Sequence, residues 1–174
     1  RYASATRVRS NHNVEDATYT HDLFDVFRAA GYRTAMVGKN HSHLRSERVD
    51  FWFGAGHCSA PDHAENPQYA AFDALLGQMK MHLRLDPTPF PPECQLPHRC
   101  VTQAMRWIES GNARPGANGS DADPSQPFLM WLSFAEPHNP YQVSEPYYSM
   151  FPPEALPPAR SGPEALAIKG FPYQ

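Results

Sequence analysis

Cysteine is scarce in this 174-residue chain: Cys58, Cys94 and Cys100 are the only three. An odd count excludes a complete disulfide framework within the chain, and buried free thiols are the preferred reading over a single Cys94–Cys100 bridge. No apolar run approaches the roughly 18 residues needed to cross a bilayer, and no signal peptide is visible. Excess positive charge is absent as well, since the formal net charge is -3. Nucleic acid is therefore not indicated as the main partner. There is no P-loop, no G-x-G-x-x-G and no G-x-S-x-G. The balance of 41% hydrophobic and 19% charged residues is that of a globular domain, and the length suffices for one core.

Proline, by contrast, is plentiful at 19 residues, clustered between Pro87 and Pro97 and again from Pro137 onward. Proline blocks helix interiors and central strands, so these stretches read as extended loops. Residues 1–19 carry few apolar positions and read as a loop. Thr20 is a candidate cap for a helix whose apolar stripe is Leu23, Phe24, Val26, Phe27 and Ala30, with Asp22 in its first turn and Gly31 at its end. Y-R-T-A-M-V-G then predicts a short buried strand. R-V-D-F-W-F-G-A-G-H, residues 48–57, predicts a strand running into a turn.

Residues 67–85 predict a helix carrying Tyr69, Phe72, Leu75, Leu76 and Met79. A second helix is expected from about Pro97 to Ser110, with Val101, Ala104, Met105 and Ile108 as its inner face. Residues 111–126 form a polar, glycine-containing surface loop. P-F-L-M-W-L-S-F-A follows as a strand apolar enough to be covered on both faces. An irregular, Pro-rich tail occupies 139–174. Helices alternating with buried strands predict an α/β fold with a mostly parallel sheet and flanking helices.

Two of these strands end in polar loops. G-K-N-H-S-H follows the first, and E-P-H-N-P-Y follows the last. Ligands of open α/β sheets bind beyond the carboxyl ends of the strands, so Lys39, His41 and His138 are expected to share one cleft. Lysine supplies a compact charge for a phosphate or sulfate group. Histidine donates to an anion or moves a proton near neutral pH. The competing reading is ordinary polar loop. A zinc site from His57, Cys58, Asp62 and His63 has ligands of the right type, but its spacing matches no common closed site. Arg7 and Arg9 are further candidates for anion contact, with a solvated surface pair as the alternative.

The stretch L-F-D-V-F-R-A-A-G-Y-R-T-A-M-V-G-K-N-H resembles the sulfatase family, where a helix, G-Y-x-T, a strand and G-K-x-H recur. P-F-L-M-W-L-S-F-A-E-P-H-N-P-Y-Q-V-S-E-P-Y-Y is similar to the family's strand ending in a P-H-x-P loop. R-V-D-F-W-F-G resembles the segment that follows the lysine motif. R-Y-A-S-A-T-R-V-R-S-N looks like the stretch after the nucleophile signature. The order and spacing agree along nearly the whole chain.

The resemblance implies a partial alkaline-phosphatase-like fold and hydrolysis of small-molecule or glycan sulfate esters by a formylglycine, with calcium in the complete enzyme. It implies that Lys39 contacts a sulfate oxygen and the formylglycine. By the same resemblance, His41 takes a proton from the formylglycine diol, and His138 contacts the sulfate and the leaving-group oxygen. His43 has no transferable role, and Asn40 and Ser42 depart from the family's usual residues.

The C/S-x-P-x-R nucleophile signature, the family's aspartate-containing metal ligands and its second, C-terminal active-site lysine have no counterpart, so residues 1–174 read as one incomplete segment of a catalytic domain with no metal clearly bound by the chain itself. Open sheet edges are then expected to be covered by a second copy or by the rest of a parent chain. A phosphomonoester or phosphonate hydrolase of the same superfamily is the alternative enzyme, and a metal-binding fragment the alternative from another class. The purified chain is expected not to hydrolyse an aryl sulfate, and measurable turnover in a chromogenic assay would overturn this.

Overall fold

The computed structural model describes residues 20–112 and 123–158, together with positions 5, 7, 8, 160, 162, 164 and 165. Its centre is a three-stranded sheet in which every described pairing is parallel. β1 is Arg33–Gly38, β2 is Phe51–Gly54 and β3 is Phe128–Ser133, arranged in the order β2-β1-β3. Helix α1 is Leu23–Ala29, α2 is Pro67–Met79 and α3 is Leu96–Glu109. The expected α/β class with a parallel sheet is what the chain adopts.

β1 occupies the middle because Thr34 through Gly38 carry no feature that needs water. All five are buried. Alternate side chains serve two cores, as the period of two along a strand requires. Val37, with Phe51, Phe53 and Met130, faces α2 and α3, where Phe72, Leu76, Leu96, Cys100 and Ala104 complete the packing. Met36, with Trp52, Leu129 and Trp131, faces Phe24 of α1 and Leu44. The sheet is thus covered on both sides. Asp50 ties the strand to the segment before β2 by accepting from the Thr34 backbone N–H at 2.9 Å and its hydroxyl at 3.1 Å.

The cap of α1 is Asp22 rather than Thr20. Asp22 accepts from the backbone N–H groups of Phe24 and Asp25, while the Asp25 carboxylate accepts from the Asp22 N–H. This reciprocal pair satisfies donors that a helix start otherwise leaves open. Only Phe24 of the expected stripe is fully buried, and Leu23 and Val26 face outward. Gly31 ends the helix with φ +84°.

Helix α2 stops at Met79, short of the expected residue 85, because Lys80 turns away at φ +54°. Residues beyond it run instead beside the Pro-rich segment, with Arg84 N–H donating to Tyr141 and Thr88 N–H to Val143. The inner face of α3 also differs from the one expected. Leu96, Arg99, Cys100, Ala104 and Trp107 point inward, and Val101, Met105 and Ile108 are exposed. Arg99 dictates this rotation. Its guanidinium is fully buried, donating through Nε to Asp62 at 2.9 Å and through Nη1 to Asp73 at 2.6 Å, and it stacks over the Tyr69 ring at 4.5 Å. A buried charge needs such partners, so two carboxylates from elsewhere in the chain set the helix phase.

β3 is the edge of the described sheet: Met130 packs into one core and Leu129 and Trp131 into the other, while Phe128 and Leu132 stay 40% and 38% exposed. Residues 113–122 of the expected surface loop, and most of the tail beyond Pro158, lie outside the described residues. The ends of that loop are joined, with Asn112 buried and donating to the Gln126 carbonyl at 3.2 Å.

Arg99→Met is expected to cost about 3–5 kcal/mol in urea unfolding, because it strands two poorly hydrated carboxylates. Replacing Arg99, Asp62 and Asp73 together by apolar residues is expected to recover most of that loss.

Candidate functional site

The three strands end level with one another. Gly38 pairs with Gly54 on one side and with Ser133 on the other. Backbone bonds continue the alignment one residue further: Lys39 N–H donates to Ser133 and Ala55 N–H donates to Gly38, both at 2.9 Å. Gly38 has φ +100°, and a Cβ there would run into the Ser133 carbonyl oxygen. Only glycine lets the chain turn out of the sheet at this point. All three following loops therefore leave from one edge, where such sheets place their ligands.

Each loop carries a histidine there. The His57 ring lies 4.1 Å from that of His138 and 6.4 Å from that of His41, centroid to centroid. Lys39 is close enough for its charge to act on His57. Lys39, His41 and His138, from the loops after β1 and β3, thus all neighbour His57 in the loop after β2. The rule that singled out the loops after β1 and β3 applies equally to G-A-G-H after β2. His57 was read there only as a zinc candidate.

Short polar turns set these side chains. Asn40 accepts from the Ser42 N–H at 2.9 Å and hydroxyl at 2.7 Å, and its amide donates to the Leu44 carbonyl at 2.8 Å. Asn40 and Ser42 are thus the residues that fold this loop. His43 belongs to a different task, since its Nε2 pairs with Asp22, the cap of α1, at 3.0 Å. The His138 loop is held by its own N–H donating to Ala135 and by Asn139 donating to the Met81 carbonyl.

The tautomer of His138 follows from chemistry. Its Nδ1 lies 2.9 Å from the Asn139 carbonyl oxygen, which only accepts, so Nδ1 carries a proton. Nε2 is left as the atom that gains or gives a proton. His57 is held below the usual histidine range, first by burial and then by Lys39, His138 and His41. Its Nδ1 is buried with no hydrogen-bond partner. Among the described residues, the groups acting on it are Lys39, His138 and His41, and Lys39 brings positive charge to this point in a chain of net charge -3.

The other candidates disperse. Asp62 is committed to Arg99 and His63 reaches the Ala60 carbonyl at 3.3 Å, so the zinc reading of His57, Cys58, Asp62 and His63 is not supported. No group of three potential metal-ligating side chains forms among the described residues, and so none fits the calcium of the implied family chemistry. Burial pushes the Cys58 and Cys94 thiols up and Cys100 to about 12, leaving none activated as a nucleophile. All three are free. Arg7 is exposed, and Arg9 lies outside the described residues.

A groove of about 380 Å³ opens beside His138, lined by Leu83, Arg84, Tyr141, Val143 and Tyr148 among others. A cavity of about 500 Å³ next to β2 includes His63 and Asp73 but none of the four cluster residues.

The family model described as "Sulfatase" matches residues 1–155. A comparison with curated proteins returns no match.

Removal of the Lys39 charge is expected to raise the titration point of His57, because one of the like charges opposing its protonation disappears. Histidine NMR titrations of wild type and Lys39→Met would show the upward shift, and an unchanged His57 curve would contradict the cluster.

Proposed function

The chain belongs to the sulfatase family, and from that premise we propose that it supplies the oxyanion cradle for hydrolysis of sulfuric esters through Lys39, His41 and His138. The α/β arrangement around an all-parallel sheet is consistent with a partial alkaline-phosphatase-like fold. The observation that carries the reading is the convergence of three level strand ends on one cationic point, on a chain whose family acts on sulfate esters.

In this reading Lys39 offsets charge on the sulfate oxygens. Fixed donors aimed at developing charge lower a barrier without reorganising during the step. His138, protonated at both nitrogens, donates from Nε2 to the leaving-group oxygen as the ester bond breaks. His41, whose ring lies 6.4 Å from that of His57, accepts a proton from the attacking group. The given sequence contains no formylglycine signature, and no calcium site is assigned to the described residues. The roles proposed here are therefore those of the chain's own donors and acceptors. The groove beside His138 lies on the leaving-group side, and Tyr148 of the tail forms part of its wall.

Inorganic sulfate tests the cradle directly. Calorimetry is expected to show binding that weakens about tenfold or more in Lys39→Ala and in His138→Ala, the loss typical of one charge-assisted hydrogen bond. Sulfate binding unaffected by either change would remove the cradle. Tighter binding of inorganic phosphate than of sulfate would favour the phosphate-ester alternative.

A further inference from the structure

We propose that His57 is a fourth ligand of the bound oxyanion, and that it takes up a proton as the anion enters. The inference rests on the cradle formed by Lys39, His41 and His138 and deepens it.

The unpartnered nitrogen carries the first step. Buried polar atoms in folded proteins are almost always hydrogen-bonded, and an exception calls for an explanation. Nδ1 of His57 is such an exception, and it lies within the cluster rather than in a remote core. Its ring stands at the end of β2 in the G-A-G-H turn, where Gly56 N–H donates to the Ser59 carbonyl at 2.8 Å.

The neighbours carry the second step. The charged and titratable groups that act on His57 are Lys39 and His41 from the β1 loop and His138 from the β3 loop. All three are cationic or become so. Two imidazoles with centroids 4.1 Å apart beside a lysine do not both become imidazolium unless a negative charge joins them. An oxyanion supplies that charge. Its oxygens only accept hydrogen bonds, so a His57 nitrogen facing them must be a donor, and the imidazolium form supplies that donor together with the charge that the anion favours. The orphaned atom gains a partner in the same event that neutralises the cluster.

Binding is then linked to proton uptake. Affinity for the anion falls as pH rises through the window between the titration points of free and bound His57, by up to about tenfold per pH unit for one proton. The empty site resists protonation and the occupied site favours it.

Histidine NMR on the full chain, with inorganic sulfate against sodium chloride at matched ionic strength, reads this directly. Sulfate is expected to move the His57 titration point upward. Calorimetry over pH 5 to 8 is expected to show a shallower pH slope of sulfate affinity in His57→Gln and in His57→Asn than in wild type, with folding checked by the dispersion of the remaining signals. If sulfate shifts the His41 and His138 signals while the His57 curve and the variants' slopes stay unchanged, the role of His57 is overturned and the cradle stands. If sulfate shifts none of these signals, the cradle falls and His57 falls with it.

Discussion

Everything at the candidate site depends on three parallel strands ending at the same height. Parallel pairing alone does not align strand ends. Here Gly38 does so, by pairing with Gly54 and Ser133 at once and then turning out of the sheet in a conformation closed to other residues. The backbone bonds from Lys39 to Ser133 and from Ala55 to Gly38 fix the first residue of each departing loop. Without that alignment, residues nearly a hundred positions apart would have no reason to meet.

Charge is distributed with the same economy. Five described aspartates have basic partners: Asp62 and Asp73 meet Arg99, Asp25 meets Arg48, Asp22 meets His43 and Arg48, and Asp50 meets Arg33. Glu136 has no such partner among the described residues, and burial pushes its carboxyl up. No such pairing involves Lys39 among the described residues. A chain that is acidic overall thus carries Lys39 at the strand ends while these five aspartates are held in pairs elsewhere. That local sign bears on which ligands are attracted.

Local signals were enough to read much of this arrangement. A run such as T-A-M-V between a glycine-ended helix and a glycine marks a buried strand without help from the rest of the chain, and the loops at two strand ends pointed to Lys39, His41 and His138. Features set by distant partners were not legible. The inner face of α3 follows Arg99, a charged residue that periodicity assigns to water, and its burial depends on two aspartates 26 and 37 positions away. The end of α2 follows the pairing of residues 84–88 with 141–143. His57 was hidden for a simpler reason. Preceded by Gly54 and Gly56 and followed by Cys58, it resembles a loop or a metal ligand until β2 is placed beside β1.

The segment after His138 is fastened by an unusual joint. Gln95 and Gln142 exchange amide hydrogen bonds at 3.1 and 2.6 Å, Thr88 donates to Gln142 at 2.6 Å, and Gln95 also donates to Ser144 at 2.7 Å. This joint lies along the chain between His138 and Tyr148, which lines the same groove further on. Length and sequence beyond Ser144 are thereby insulated from the histidine. Evolution, or a protein engineer, has a graft point here: new specificity loops attach downstream of the joint while the proton-handling side chain keeps its place.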